Sequence, residues 1–176
     1  MALPPLATAA DLTDFGYEDV PVALLLRAST RVRRYTRQEI TPGTTTVTLH
    51  GVGPWLLPQR PVTEVTTVVD AEENQVEHEL RGQHLHTRRC GPLTVTWSHG
   101  FSPLPDELVE LVCSIASRMA STPAGMHAGA RTEQAGGESV TWGSDAYGGT
   151  TGLTETERAE LDRLLPRLPS TVRLRP

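Results

Sequence analysis

Four of the six histidines fall in one stretch of the chain, His78, His84, His86 and His99, with Cys90 among them. His84 and His86 are two residues apart. On an extended strand both rings would leave from one face, a spacing that can hold a transition metal. The segment HELRGQHLHTRRC carries neither a CxxC nor an HExxH pattern, and no acidic group is spaced to orient the imidazoles from behind. The expectation is a solvated hairpin with polar side chains outward, and no metal or other cofactor. Nucleophiles give the same answer. Cys113 sits inside the apolar helical pattern LVELVCSIASRMA and reads as a small buried hydrophobe. Cys90 stands beside Arg88 and Arg89 in a turn before Gly91-Pro92, with no partner base in sequence. No GxSxG elbow is present, and the glycines between 125 and 152 are scattered rather than set between a strand and a helix. Glu72-Glu73 reads as a turn and Asp106-Glu107 as a helix N-terminus. No catalytic residue is predicted, and the chain is expected not to be an enzyme.

The remaining polar and aromatic signals point to surfaces. Trp55, in GPWLLPQRPV, is expected in a core; Trp142, in a glycine-rich stretch, is expected at an interface, where aromatics and Arg concentrate. Glu138 and Val140, in the same stretch, and Arg173, Leu174 and Arg175, in the basic tail PSTVRLRP, complete the candidate interface.

The elements that must carry these residues follow from periodicity. Thr8 N-caps a short helix, AADLTDF, with Asp11 in the capping-box place. A longer helix is expected from Glu18 to Tyr35, with Val20, Leu24, Ala28 and Val32 recurring every four residues and Pro21 in its first turn. Arg31, Arg33, Arg34 and Arg37 gather near its end and complement the helix dipole. Strands are expected at Thr45–Leu49, Pro61–Val69, Val76–Leu80 and Leu93–His99, rich in Val and Thr. In the last of these Leu93, Val95 and Trp97 share one face and Thr94, Thr96 and Ser98 the other. A third helix begins at Asp106 with the stripe Leu108, Leu111, Val112, Ile115, Ala116 and Met119. Within the Gly/Ser/Thr/Ala-rich stretch from Thr122 to Gly152, Glu138 to Trp142 reads as a strand. Thr154 with Glu157 three residues on is a capping box for a last helix, whose apolar positions are Leu161, Leu164, Leu165 and Leu168.

The fold class expected is α+β: a small helical bundle with a β-strand region inserted between the second and third helices, plus an extended Gly-rich arm. Residues 1–121 would form the helical core with the insert at about 44–99, and residues 122–176 the arm, C-terminal helix and tail.

At 176 residues the chain is the size of one ordinary domain. Net charge is −5 with a pI near 5.7, which disfavours tight binding to phosphate backbones. All 16 basic residues are Arg, a pattern that reads as codon usage of a GC-rich genome. The longest apolar run, Val22 to Leu26, falls far short of the roughly 20 residues of a membrane span, so no membrane partner is expected. The start, MALPPLATAADLTDFG, lacks the basic and apolar regions of a secretory signal. Two cysteines in such a chain are expected to be reduced thiols.

An ordered set of segments resembles the head–tail adaptor (connector, or head-completion) proteins of tailed bacteriophages. The pieces are LATAADLTDFG, ALLLRASTRVRRYTRQEI, WLLPQRPVTEVTTVV, LTVTWSHGFSPLPDELVELVCSIASRMAS, TEQAGGESVTWG and LTETERAELDRL. They span nearly the whole chain, and the front end and the tail after Leu168 depart from the family pattern. The resemblance implies a virion protein made in the host bacterial cytoplasm that self-assembles into a twelve-fold homo-oligomeric ring. It implies a place at the head–tail junction beneath the portal protein, extending the DNA channel and docking a downstream connector, stopper or tail protein. DNA would pass through without sequence-specific binding. The arm, Thr122 to Gly152, is expected to order on assembly, and the tail, Val172 to Arg175, to contact the portal or a neighbouring subunit. A tail-terminator or other tail-side ring protein is the alternative, and the long third helix weighs against it. A metal-dependent enzyme built on His84 and His86 is the remaining one.

Overall fold

A computed structural model of the chain describes residues 3–121 and 152–165, and the backbone pairing of strands 132–135 and 138–141. The fold is α+β. The described residues fall into two compact units, one of helices and one of strands, with the strand unit (38–104) inserted between the second and third helices.

In the helical unit, α1 (Ala9–Asp14) starts at the predicted capping box: Thr8 caps the Asp11 N–H and the Asp11 carboxylate takes the Thr8 N–H. The second helix, α2 (Val22–Thr36), begins later than its periodicity predicts. Asp19 takes a left-handed conformation (φ 58°) that turns the chain, and Pro21 becomes the N-cap instead of a first-turn residue. Its buried face is Leu25, Ala28, Ser29, Val32 and Thr36. The Ser29 hydroxyl donates to the Leu25 carbonyl (2.6 Å) and accepts the Leu6 N–H (2.8 Å), which pins the N-terminal segment to the helix. The third helix, α3 (Asp106–Ala120), carries the predicted apolar stripe, with Val112, Ile115 and Ala116 fully buried and Met119 partly so. After the β7 (Thr132–Ala135) and β8 (Glu138–Thr141) hairpin, α4 (Glu155–Leu164) begins at the Thr154–Glu157 capping box.

One polar network ties α4 to α2 and α3. The Arg118 guanidinium forms a two-pronged ion pair with Glu157 (2.9 Å for each bond) and donates to the Gly152 carbonyl (2.9 Å). Arg31 donates to the same carbonyl (3.1 Å), and the Tyr35 hydroxyl donates to Asp162 (3.0 Å). Gly152 has φ 70°, a left-handed backbone that favours glycine, and a Cβ there would displace the Arg31 guanidinium from its place beside it.

The inserted unit holds two three-stranded antiparallel sheets. One has the order β1 (Gly43–Leu49), β6 (Leu93–His99), β3 (Val62–Val69), and the other β2 (Trp55–Leu56), β5 (His84–Thr87), β4 (His78–Arg81). They share a core of Leu57, Val68, Leu85, Leu93, Val95 and Trp97. The period-two reading of β6 holds: Leu93, Val95 and Trp97 are fully buried, and the Trp97 indole N–H donates to the Gln59 carbonyl (3.0 Å). On the other face the hydroxyls bond across the strands, Thr46 to Thr96 (2.9 Å) and Thr48 to Thr94 (3.3 Å). The strand expected at Val76–Leu80 starts at His78; Val76 instead donates its N–H to the Val68 carbonyl (2.9 Å). The short strands β2 and β7 carry too little alternation to be read from sequence.

The unit closes on itself where the chain enters and leaves. The Phe101 N–H donates to the Ile40 carbonyl (2.9 Å), Gly43 pairs with His99, and Gly100 (φ 100°) lies so close to the Thr41 carbonyl that no side chain fits there.

Candidate functional site

The β4–β5 hairpin and the turn at Asp70 border an open cleft of about 970 Å³ whose lining includes Asp70, His78, Glu79, Arg81, His86 and Arg89. His84 and His86 do share one face of β5, opposite the buried Leu85. In the register His86 stands across from Glu79 and His84 across from Arg81. His78 turns its Nδ1 onto the Val76 carbonyl (3.1 Å). His99 lies in the other sheet. The structure therefore separates it from the three histidines that precede it in sequence, and no group of three metal-ligating side chains gathers among the described residues.

Two carboxylates of the cleft, Asp70 and Glu79, are already engaged. Asp70 accepts the N–H groups of Asn74 (2.9 Å) and Glu72 (3.1 Å) and pairs with Arg89 (2.9 Å). These contacts, the Asn74 N–H first, hold its carboxyl below the usual range against the opposing effect of desolvation. The Arg81 hydrogen bond (2.8 Å) does the same for Glu79. A carboxylate held ionised in this way is poorly matched to general acid–base work near neutral pH. What these residues build is a braced turn and hairpin.

The buried titratable groups are structural too. Burial lowers the pKa of His99, with Glu39 at 4.0 Å pulling the other way, so the ring is neutral near pH 7. Its Nε2 lies 2.9 Å from the Thr45 hydroxyl, and its Nδ1 has no hydrogen-bond partner among the described residues. Burial pushes the Cys113 thiol up to about 11, with Asp11 and Glu110 adding to the effect, so this cysteine is inert. Cys90 is exposed.

Of the predicted interface residues, Glu138 and Val140 lie on β8, opposite Ala135 and Glu133. Trp142, Arg173, Leu174 and Arg175 lie outside the described residues, as do Leu168 and most of the arm. Trp55 packs against the β core as expected, and its indole N–H donates to the His50 carbonyl (3.3 Å).

One surface escaped the periodicity reading. The outward face of α2 carries Val22, Leu26, Arg27, Thr30 and Arg34, all exposed, and the helix contains no acidic residue. Val22 and Leu26, one turn apart, are 56% and 44% exposed. Just before this helix, Asp14, Glu18 and Asp19 are exposed, while Asp11 is taken up by the cap. The signal was present in the sequence: four acids and no base between residues 11 and 19, then arginines and no acid through residue 37. Reading those arginines as dipole complements alone hid it.

No family model matches the chain, and no curated protein matches it. Among solved structures, one similar chain comes from the neck of an empty gene transfer agent (GTA) particle computed with C6 symmetry. The match covers 100% of this chain and 97% of that one, at 16% identity and a TM-score of 0.54. Another comes from the virion of a native GTA particle, covering 72% of this chain and 84% of that one, at 19% identity and a TM-score of 0.50. This chain thus shares its fold with chains of gene transfer agent particles.

Proposed function

We propose that the chain is a structural protein of a phage-like virion, a head-to-tail adaptor. Copies of it form a closed ring beneath the portal, extend the DNA channel and dock the next connector or tail component. The observation that carries this reading is the full-length likeness in fold to a chain of a particle neck. It is supported by the ordered sequence segments and by the cleft, where the Asp70–Arg89 and Glu79–Arg81 pairs brace the turn and the hairpin. The chain works by shape and contact: the arm, with Glu138, Val140 and Trp142, reaches a neighbouring subunit, and the tail with Arg173, Leu174 and Arg175 reaches the portal or that neighbour. The net charge of −5 suits a channel component that DNA slides past.

The test is capture of the purified chain by portal protein and, separately, by tail tube protein, combined with electron microscopy of particles carrying a tagged copy. Binding to portal and density at the head–tail junction are expected. Capture by tail tube alone would favour a tail-side ring, and absence from finished particles would end the virion reading. Deleting Ser170 onward is expected to weaken particle assembly, and full infectivity after the deletion would remove the tail from the proposal.

A further inference from the structure

We propose that the outward face of α2 is the seam between neighbouring copies, a proposal that rests on the ring reading above. Arg27 and Arg34 of one copy meet Asp14, Glu18 and Asp19 of the next, and Val22 and Leu26 lose their water between them. The occupant is a second copy of this chain, and charge complementarity within the chain identifies it. By the helical rise Arg34 stands about 18 Å along the axis from Val22, well beyond the ~8 Å screening length from the acidic segment before the helix, and Arg27 stands about 8 Å along. Neither Arg27 nor Arg34 forms an ion pair among the described residues, and the same holds for Asp14, Glu18 and Asp19.

The helix dipole accounts for part of this pattern, since it favours Glu18 and Asp19 before the first turn and Arg34 in the last. It gives no reason for Arg27 in the middle of the helix, nor for two bare aliphatic side chains one turn apart beside it. An apolar centre rimmed by charge is the make-up of a contact patch. An acidic patch ahead of the helix and a basic one from its middle to its end favour a head-to-tail contact, and such contacts close into rings when the rotation allows. An antiparallel pairing of two α2 helices would satisfy the same charges but would stop at a dimer.

Charge reversal separates these outcomes. The full-length chain, alone and on purified portal rings, is followed by native mass spectrometry, with circular dichroism confirming that each variant folds. R27E/R34E turns the basic patch acidic, and D14R/E18R/D19R turns the acidic patch basic. Each variant alone is expected to associate about 100-fold more weakly than the wild type. Mixed in equal amounts they are expected to assemble again, as a ring alternating between the two. Raising salt from about 50 to about 500 mM is expected to weaken wild-type assembly about tenfold. If the wild type assembles and both variants assemble equally well, the seam lies elsewhere and the ring stands. If both variants fail and mixing does not rescue them, α2 serves portal or DNA instead, and the proposal is overturned. A wild type that stops at a dimer overturns it as well. A wild type that assembles neither alone nor on portal overturns the ring reading itself.

Discussion

The two units differ in how their polar groups are joined. In the inserted β unit the bonds run within one turn or between paired strands. Asp70 is bonded to the N–H groups of its own turn, and the threonine hydroxyls of β1 and β6 bond to each other across the strands. In the helical unit the bonds join separate segments, with Arg118 on Glu157 and Arg31 on the Gly152 carbonyl, while the exposed Arg27 and Arg34 of α2 and Asp14, Glu18 and Asp19 before it form no ion pair among the described residues. The bare face of α2 is the one that the proposed seam would cover.

The comparison can be broken most severely at Trp97. Trp97→Ala empties the centre of the β core and is expected to cost about 3–5 kcal/mol, read as a lower denaturant midpoint. Hydrogen exchange should show the loss concentrated in residues 38–104; equal loss of protection in α3 would mean that the two units share their stability.

The next largest effect is expected in the helical unit. Glu157→Ala removes the side-chain half of the α4 capping box and the partner of a mostly buried guanidinium, and should cost about 2–4 kcal/mol. The double variant R118M/E157L should recover a good part of that loss, because it leaves no charge stranded. A double variant no better than the single would show that the pair contributes more than the relief of burial.

These two sites also show how far the sequence could be read. The period-two pattern of β6 placed Trp97 on the buried face, and the capping-box spacing placed Glu157 at the start of α4, because both rules act within a few residues. The pairing of Glu157 with Arg118, 39 residues away, has no local signature. Nor has the placing of His99 in a different sheet from His84 and His86, which adjacency in sequence had grouped together. The start of α2 lies beyond the reach of a periodicity count, because Asp19 adopts a left-handed backbone that periodicity does not register. Of the predicted interface residues, only Glu138 and Val140 fall within described strands, and the α2 face came to notice only once burial was known.

A smaller effect is expected from pH. The folded-state pKa of His99 is depressed, so the unfolded chain binds more protons below the ordinary histidine value of about 6.5. The stability this neutral ring contributes is present above that value and falls away as pH drops through it. A denaturation series from about pH 7.5 to about pH 5.5 should therefore show declining stability. His99→Gln should flatten the decline, and an unchanged slope in that variant would assign it to other groups.

The smallest perturbation discriminates between the two thiols. Maleimide should label exposed Cys90 in the native chain within minutes and reach Cys113 only on unfolding. Native labelling of Cys113 would mean that α3 opens far more readily than its packing implies.

The closure between Ile40 and Phe101 has a consequence for the history of the chain. An insert whose two ends are stitched together demands almost no span from its host, so helices α2 and α3 can be joined by a short turn in its place. Relatives carrying a larger β module, a smaller one or none are then compatible with the same helical frame. Grafting a foreign module between Arg37 and Pro105 becomes a practical route to decorating it.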